Sequence, residues 1–170
     1  SIENSTSIYA VSGVRVTPDG IPLKGKWPDI PRELGFVDAT DLERAAYDLD
    51  ADMCEAWRTD VLRNYPFPVW NSEKFAPEQI VFNQIALGGY KIRWYPVAMS
   101  ICEYQEGGLT KGARKLEIEN PMGYAMMYNH KLKYNISFRQ KLHCAMQCTA
   151  LSIVGRNPQY IFQSNMPIAT

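Results

Sequence analysis

The sequence predicts an α/β chain, strands dominating its first part and helices its last, on three observations. Runs rich in β-formers with period-two alternation occur at residues 7–17 and 90–95. An apolar helical run, residues 76–87, is bracketed by Pro77 and by Gly88-Gly89. After Asn120 the pattern turns helical, with Ser137 and Gln140 spaced as a capping box.

Element by element, residues 7–17 followed by Pro18-Asp19-Gly20 and residues 21–26 predict a hairpin. The Gly/Pro-rich residues 25–35 predict a loop. Residues 41–49 suit a short helix capped by Thr40, while residues 53–63 read equally as strand or helix. In the helix predicted at 76–87, Pro77 takes the first position and Ile80, Val81 and Ile85 supply the apolar face. Residues 90–95 follow as a strand, with another predicted at 97–104 after Pro96. Asn120-Pro121 opens a helix to about Tyr134, and Ser137 opens the last, with Phe138, Leu142, Ala145, Met146 and Ile153 marking its apolar side until Gly155.

The 170 residues are enough for a domain with its own core, and 46% hydrophobic with 21% charged residues is a globular composition. Net charge is zero, so no overall basic field recruits nucleic acid, and any phosphate binding must be local. Cys54, Cys102, Cys144 and Cys148 lack C-x-x-C spacing and accompany no signal peptide or long apolar segment, which predicts free thiols and a cytoplasmic setting. Cys144 and Cys148 with His130 and His143 could be imagined as a zinc site, but core packing is the expectation, and no metal ligand is assigned.

Two segments carry candidate chemistry. In Ser72-Glu73-Lys74-Phe75-Ala76-Pro77-Glu78-Gln79, Glu78 falls in the first turn of the predicted helix, where the helix dipole favours the ionised carboxylate that a general base needs. Acidic residues also occupy first turns simply because they stabilise helices. Trp70 lies in the loop beside these carboxylates and offers a broad face to a sugar ring. The second segment, residues 106–115, joins Gly107, Gly108 and Gly112 to Lys111, Arg114 and Lys115, suited either to a mobile phosphate-facing loop or to a solvated turn. Asp48, Asp50 and Asp52 form two D-x-D triplets, yet they follow an apparent helix rather than a buried strand, which disfavours a metal site.

The stretch S-E-K-F-A-P-E-Q, preceded by Y-P-F-P at 65–68 and followed by G-L-T at 108–110, resembles the family 2 glycosyltransferases that build bacterial surface polysaccharides. Their corresponding segments read G-E-K-F-V-P-E and D-G-L-S, and residues 52–62 here resemble the segment that precedes them. Gln79 stands where other branches of the family place an aspartate.

The resemblance implies the acceptor half of a GT-A domain at 1–118, a mixed sheet with flanking helices, and a C-terminal helical region at 119–170 packed on it. It further implies that the nucleotide-binding units and the true DxD, which holds Mg²⁺ or Mn²⁺ in the intact enzyme, belong before Ser1. This portion alone would be inactive and would bind no cofactor. The implied reaction is inverting transfer from a nucleotide diphosphate sugar to a glycan or lipid-linked acceptor. Glu78 or Glu73 would be the base, Trp70, Lys74 and Gln79 would contact the acceptor, and Gly107, Gly108, Lys111 and Arg114 would face the diphosphate. The competing expectation is a non-catalytic glycan-binding or assembly module, and Met122, Met126, Met127, Phe138, Lys131, Lys133 and Lys141 suggest peripheral membrane contact as a third.

Overall fold

The computed structural model describes residues 8–31, 33–68, 70–103 and 112–165. Contacts divide the chain into two compact units, Ser1–Pro66 with Val81–Gln105, and Phe67–Ile80 with Glu106–Thr170.

The first unit is built on a four-stranded mixed sheet of order β2-β4-β1-β3, made of β1 (Ile8–Val16), β2 (Val37–Ala39), β3 (Met53–Trp57) and β4 (Lys91–Ile101). β1 runs parallel to β4 and antiparallel to β3, while β2 is antiparallel to β4. Alternation along β1 and β4 sends Ala10, Val14, Val16, Ile92 and Trp94 into a core that also takes Met53, Leu49 and Ile30. The buried Trp94 indole satisfies its N–H on the Ala39 carbonyl at 3.0 Å. A second apolar cluster joins Val61 of α1 (Thr59–Asn64) to Val81 and Ile85 of α2 (Gln79–Leu87). The ambiguous 53–63 segment thus resolves into a strand and then a helix.

Three local expectations are corrected in this unit. The 7–26 hairpin reduces to the turn and one isolated bridge, Val16 to Pro22, because Pro22 has no N–H with which to extend a ladder. Pro96 does not separate two strands. β4 runs through it, and the register shift between the pairs Ser12–Trp94 and Val14–Ala98 absorbs the imino acid as a bulge. The helix after Thr40 is a tight 3-10 helix, Asp41–Tyr47, started by a Thr40–Glu43 capping box and ended by Asp48 in the left-handed region at φ 55°.

The second unit is helical: α3 (Ala113–Glu119), α4 (Pro121–Lys131), α5 (Phe138–Val154) and α6 (Tyr160–Gln163), with residues 67–80 laid against them. Its core joins Met122 and Ala125 of α4 to Cys148 and Leu151 of α5, with Trp70, Tyr124, Tyr128 and Tyr160 packed around them. Pro121 occupies the first turn of α4, and the Ser137–Gln140 capping box starts α5.

The apolar side expected of α5 is not the buried one. Cys144, Cys148, Leu151 and Ser152 are buried, while Phe138, Leu142, Met146 and Ile153 are exposed. Small side chains let the two helices approach closely, and a residue pattern with two apolar faces does not say which one is used. The protein is therefore a mixed α/β chain with a four-stranded sheet and flanking helices.

Candidate functional site

Trp70, Glu73, Lys74, Glu78, Gln79 and Arg114 fall in the second unit. Gly107, Gly108 and Lys111 lie outside the described residues. The others are placed by how residues 70–79 are fastened to α4.

The fastening starts with a tight turn in which the Glu73 N–H donates to the Trp70 carbonyl at 3.0 Å. Ser72 in this turn takes φ 81°, a left-handed value that favours glycine. Ser72 is also the position at which the resembled motif carries glycine. The turn aims Glu73 at the start of α4, where its two carboxylate oxygens accept from the N–H groups of Met122 and Gly123, both at 2.7 Å. Those amides begin a helix and have no partner within it, so a half-buried carboxylate satisfies two donors and meets the positive end of the dipole.

Asn120, 5% exposed, completes the fastening from the other side. Its Oδ1 accepts from the N–H groups of Lys74 (2.9 Å) and Phe75 (3.1 Å), and its Nδ2 donates to the Leu116 carbonyl at 2.9 Å. A β-carbon on Gly123 would lie 2.7 Å from the Phe75 carbonyl oxygen, so only glycine permits this approach. The Phe75 ring stacks on Tyr124 with centroids 5.9 Å apart.

With the segment clamped in this way, the two glutamates have different fates. Glu73 is committed to holding α4. Glu78 is exposed, just ahead of α2, and among the described residues no hydrogen bond engages its carboxylate. The sequence placed Glu78 inside the helix. α2 instead begins at Gln79, because the Ile80 N–H closes a turn onto the Pro77 carbonyl at 3.2 Å before regular helix starts. Burial raises the Tyr124 phenol pKa above its ordinary value, and the nearby carboxylates of Glu117 and Glu78 raise it further. Tyr128 is raised by burial and by Glu117. The Tyr124 phenol is thus within electrostatic reach of both Glu78 and Glu117, and neither Tyr124 nor Glu117 was singled out from the sequence. Tyr124 and Tyr128 at i, i+4 on α4 are the signal that could have found them.

Trp70, expected to offer a stacking face from the loop, is half-buried and packs on the helical core, its ring edge-on to Tyr160 at 5.7 Å. Lys74 is exposed, and its backbone is what Asn120 holds; Gln79 is half-buried as the first residue of α2. Arg114 belongs to α3 rather than to a glycine loop: its side chain is exposed, and its neighbour Lys115 pairs with Glu119 one turn on at 3.6 Å.

The metal ion implied by the resemblance finds no donor set here. Among the described residues no group of three or more His, Cys, Asp or Glu could hold a cation. Within the D-x-D triplets, Asp48 ends the 3-10 helix and pairs with Lys26. Cys144 and Cys148 are buried, and their thiol pKa values are pushed up by that burial, as suits core packing.

Comparison with models of protein families, with curated proteins and with solved structures finds no match.

Proposed function

We propose that this chain is the acceptor-side portion of a nucleotide-sugar-dependent glycosyltransferase, with Glu78 the base that takes the proton from the acceptor hydroxyl. One observation carries the choice of base: Glu73 is spent on two amides of α4, while Glu78 is exposed and within electrostatic reach of the Tyr124 phenol. An exposed, uncommitted carboxylate close in sequence to a clamped segment suits proton abstraction from a bound sugar. Phe75, Tyr124 and Tyr128 supply apolar ring surface for pyranose C–H groups, and the Tyr124 phenol can hydrogen-bond a neighbouring hydroxyl. The backbone at Lys74 positions the motif, and Trp70 supports it from the core.

The test uses protein expressed from the complete reading frame that contains this sequence, assayed for release of nucleoside diphosphate from uridine, guanosine and thymidine diphosphate sugars. Glu78→Gln should lower turnover by about a hundredfold or more, the usual scale for loss of a general base, with donor affinity unchanged. Full activity in Glu78→Gln would remove the assignment. Absence of transfer or hydrolysis with every donor would favour a non-catalytic glycan-binding module.

A further inference from the structure

α5 presents an apolar stripe to solvent along its whole length. Phe138 (79% exposed), Leu142 (52%), Met146 (63%) and Ile153 (59%) recur at helical spacing, opposite the buried Cys144, Cys148 and Leu151. At about 3.6 residues per turn these four side chains occupy roughly 80° of the helix circumference over a length of about 22 Å. Leaving four large apolar side chains in water along one line marks a surface that is covered by something.

Charge distribution indicates what covers it. All 18 acidic residues of the chain lie before Asn120. Beyond that point stand Lys131, Lys133, Arg139, Lys141 and Arg156 with no carboxylate side chain among them. Arg139 and Lys141 are on α5 itself, and Lys131 and Lys133 lie at the end of α4 and just beyond it. A zero net charge for the whole chain hides this segregation.

We propose that α5 lies in the plane of an anionic phospholipid surface, its stripe sunk into the acyl boundary and its basic residues against the headgroups. A second copy of the chain is the poorer occupant, since two such stripes would bring the basic residues of both copies together. A soluble glycan has no use for four large apolar side chains. A bilayer adapts to a convex helix without a matching groove, and apolar burial adds to headgroup attraction there. Among the described residues no helix is long and apolar enough to cross a membrane, so α5 lies on the surface rather than spanning it. This inference does not rest on the glycosyl-transfer reading.

Co-sedimentation with vesicles tests it. The protein should bind equimolar phosphatidylglycerol/phosphatidylcholine vesicles and bind pure phosphatidylcholine at least tenfold more weakly. Binding should fall severalfold as NaCl rises from about 0.05 M to about 0.5 M, because screening shortens the reach of the headgroup charge. Leu142→Ser with Met146→Ser should lower partition at least tenfold, and Arg139→Glu with Lys141→Glu should do the same on the anionic vesicles. Arg139, Leu142 and Met146 are exposed and Lys141 is half-buried, and helical circular dichroism and unfolding midpoints of both variants serve as the fold control. Absence of vesicle binding would overturn the proposal, as would unchanged binding by the Leu142/Met146 variant. A dimer in sedimentation equilibrium that the same variant dissolves would assign the stripe to a second copy and overturn it too.

Discussion

Replacing Glu73 by alanine separates the two carboxylates of the motif more cleanly than any activity measurement. The substitution deletes two hydrogen bonds of 2.7 Å from the Met122 and Gly123 amides. Hydrogen bonds to a charged acceptor contribute about 1.5–3 kcal/mol each, and a carboxylate at a helix N-terminus adds about 0.3–1 kcal/mol. Glu73 is only half-buried, so water recovers part of this, and the net loss should be about 2–4 kcal/mol. With a urea slope of about 2 kcal/mol per molar, the unfolding midpoint should fall by about 1–2 M. Circular dichroism at the helix band reads α4 and α5 directly. Glu78→Ala, at an exposed position without a hydrogen bond among the described residues, should stay within about 0.5 kcal/mol of the parent. A midpoint shift below about 0.25 M for Glu73→Ala would show that the fastening does not hold α4, and the ground for choosing Glu78 would go with it.

Other outcomes follow from the same geometry. Ser72→Gly should stabilise by about 1 kcal/mol, since φ 81° strains any residue with a β-carbon; a neutral or destabilising result in urea melts would contradict the turn. Gly123→Ala should destabilise by about 1–3 kcal/mol through its 2.7 Å clash with the Phe75 carbonyl, and an unchanged midpoint would count against the clamp. Glu55 on β3 carries a pKa raised from 4.5 to about 7, by burial first and by Asp41 after it, against the opposing pull of Arg44 and Arg15. Between those values the unfolded chain releases its proton while the folded one keeps it, so this group's contribution to stability falls as pH rises from about 4.5 to about 7. Glu55→Gln should therefore gain on the parent above neutrality, on the order of 1–3 kcal/mol once solvent screening is allowed for, and the gain should vanish below pH of about 4. Parallel melting profiles for the two proteins across that range would exclude the shift.

Local signals carried much of this fold and long-range ones little. Thr40, Ser137 and Pro121 announced their helices because a cap is decided by a few neighbouring residues. The course of β4 through Pro96 was not legible, since whether a proline stops a strand depends on whether its own strand can bulge against its neighbour, here between the pairs Ser12–Trp94 and Val14–Ala98. The face of α5 was not legible either. Its sequence offers an apolar stripe on one side and a line of small residues on the other, and the choice was made by close packing against Ala125 and Met122. At the site, residue types pointed to Glu73 and Glu78 together, while their division of labour depends on amides far along the chain. The position of Trp70 beside the carboxylates was legible, while its packing against Tyr160 depends on a residue 90 positions further along the chain.

The contacts that fasten the motif join residues 45 to 50 positions apart in the chain. Closing a flexible loop of that length opposes the first such contact by on the order of 3–4 kcal/mol of chain entropy, after which the neighbouring contacts form at little further entropic expense. The fastening therefore forms or breaks as a unit. During synthesis, the 72–79 segment leaves the ribosome well before α4 exists to receive it. Its fixed shape belongs only to a chain extended past Gly123, and any truncation that stops short of that residue leaves the two glutamates on unorganised backbone.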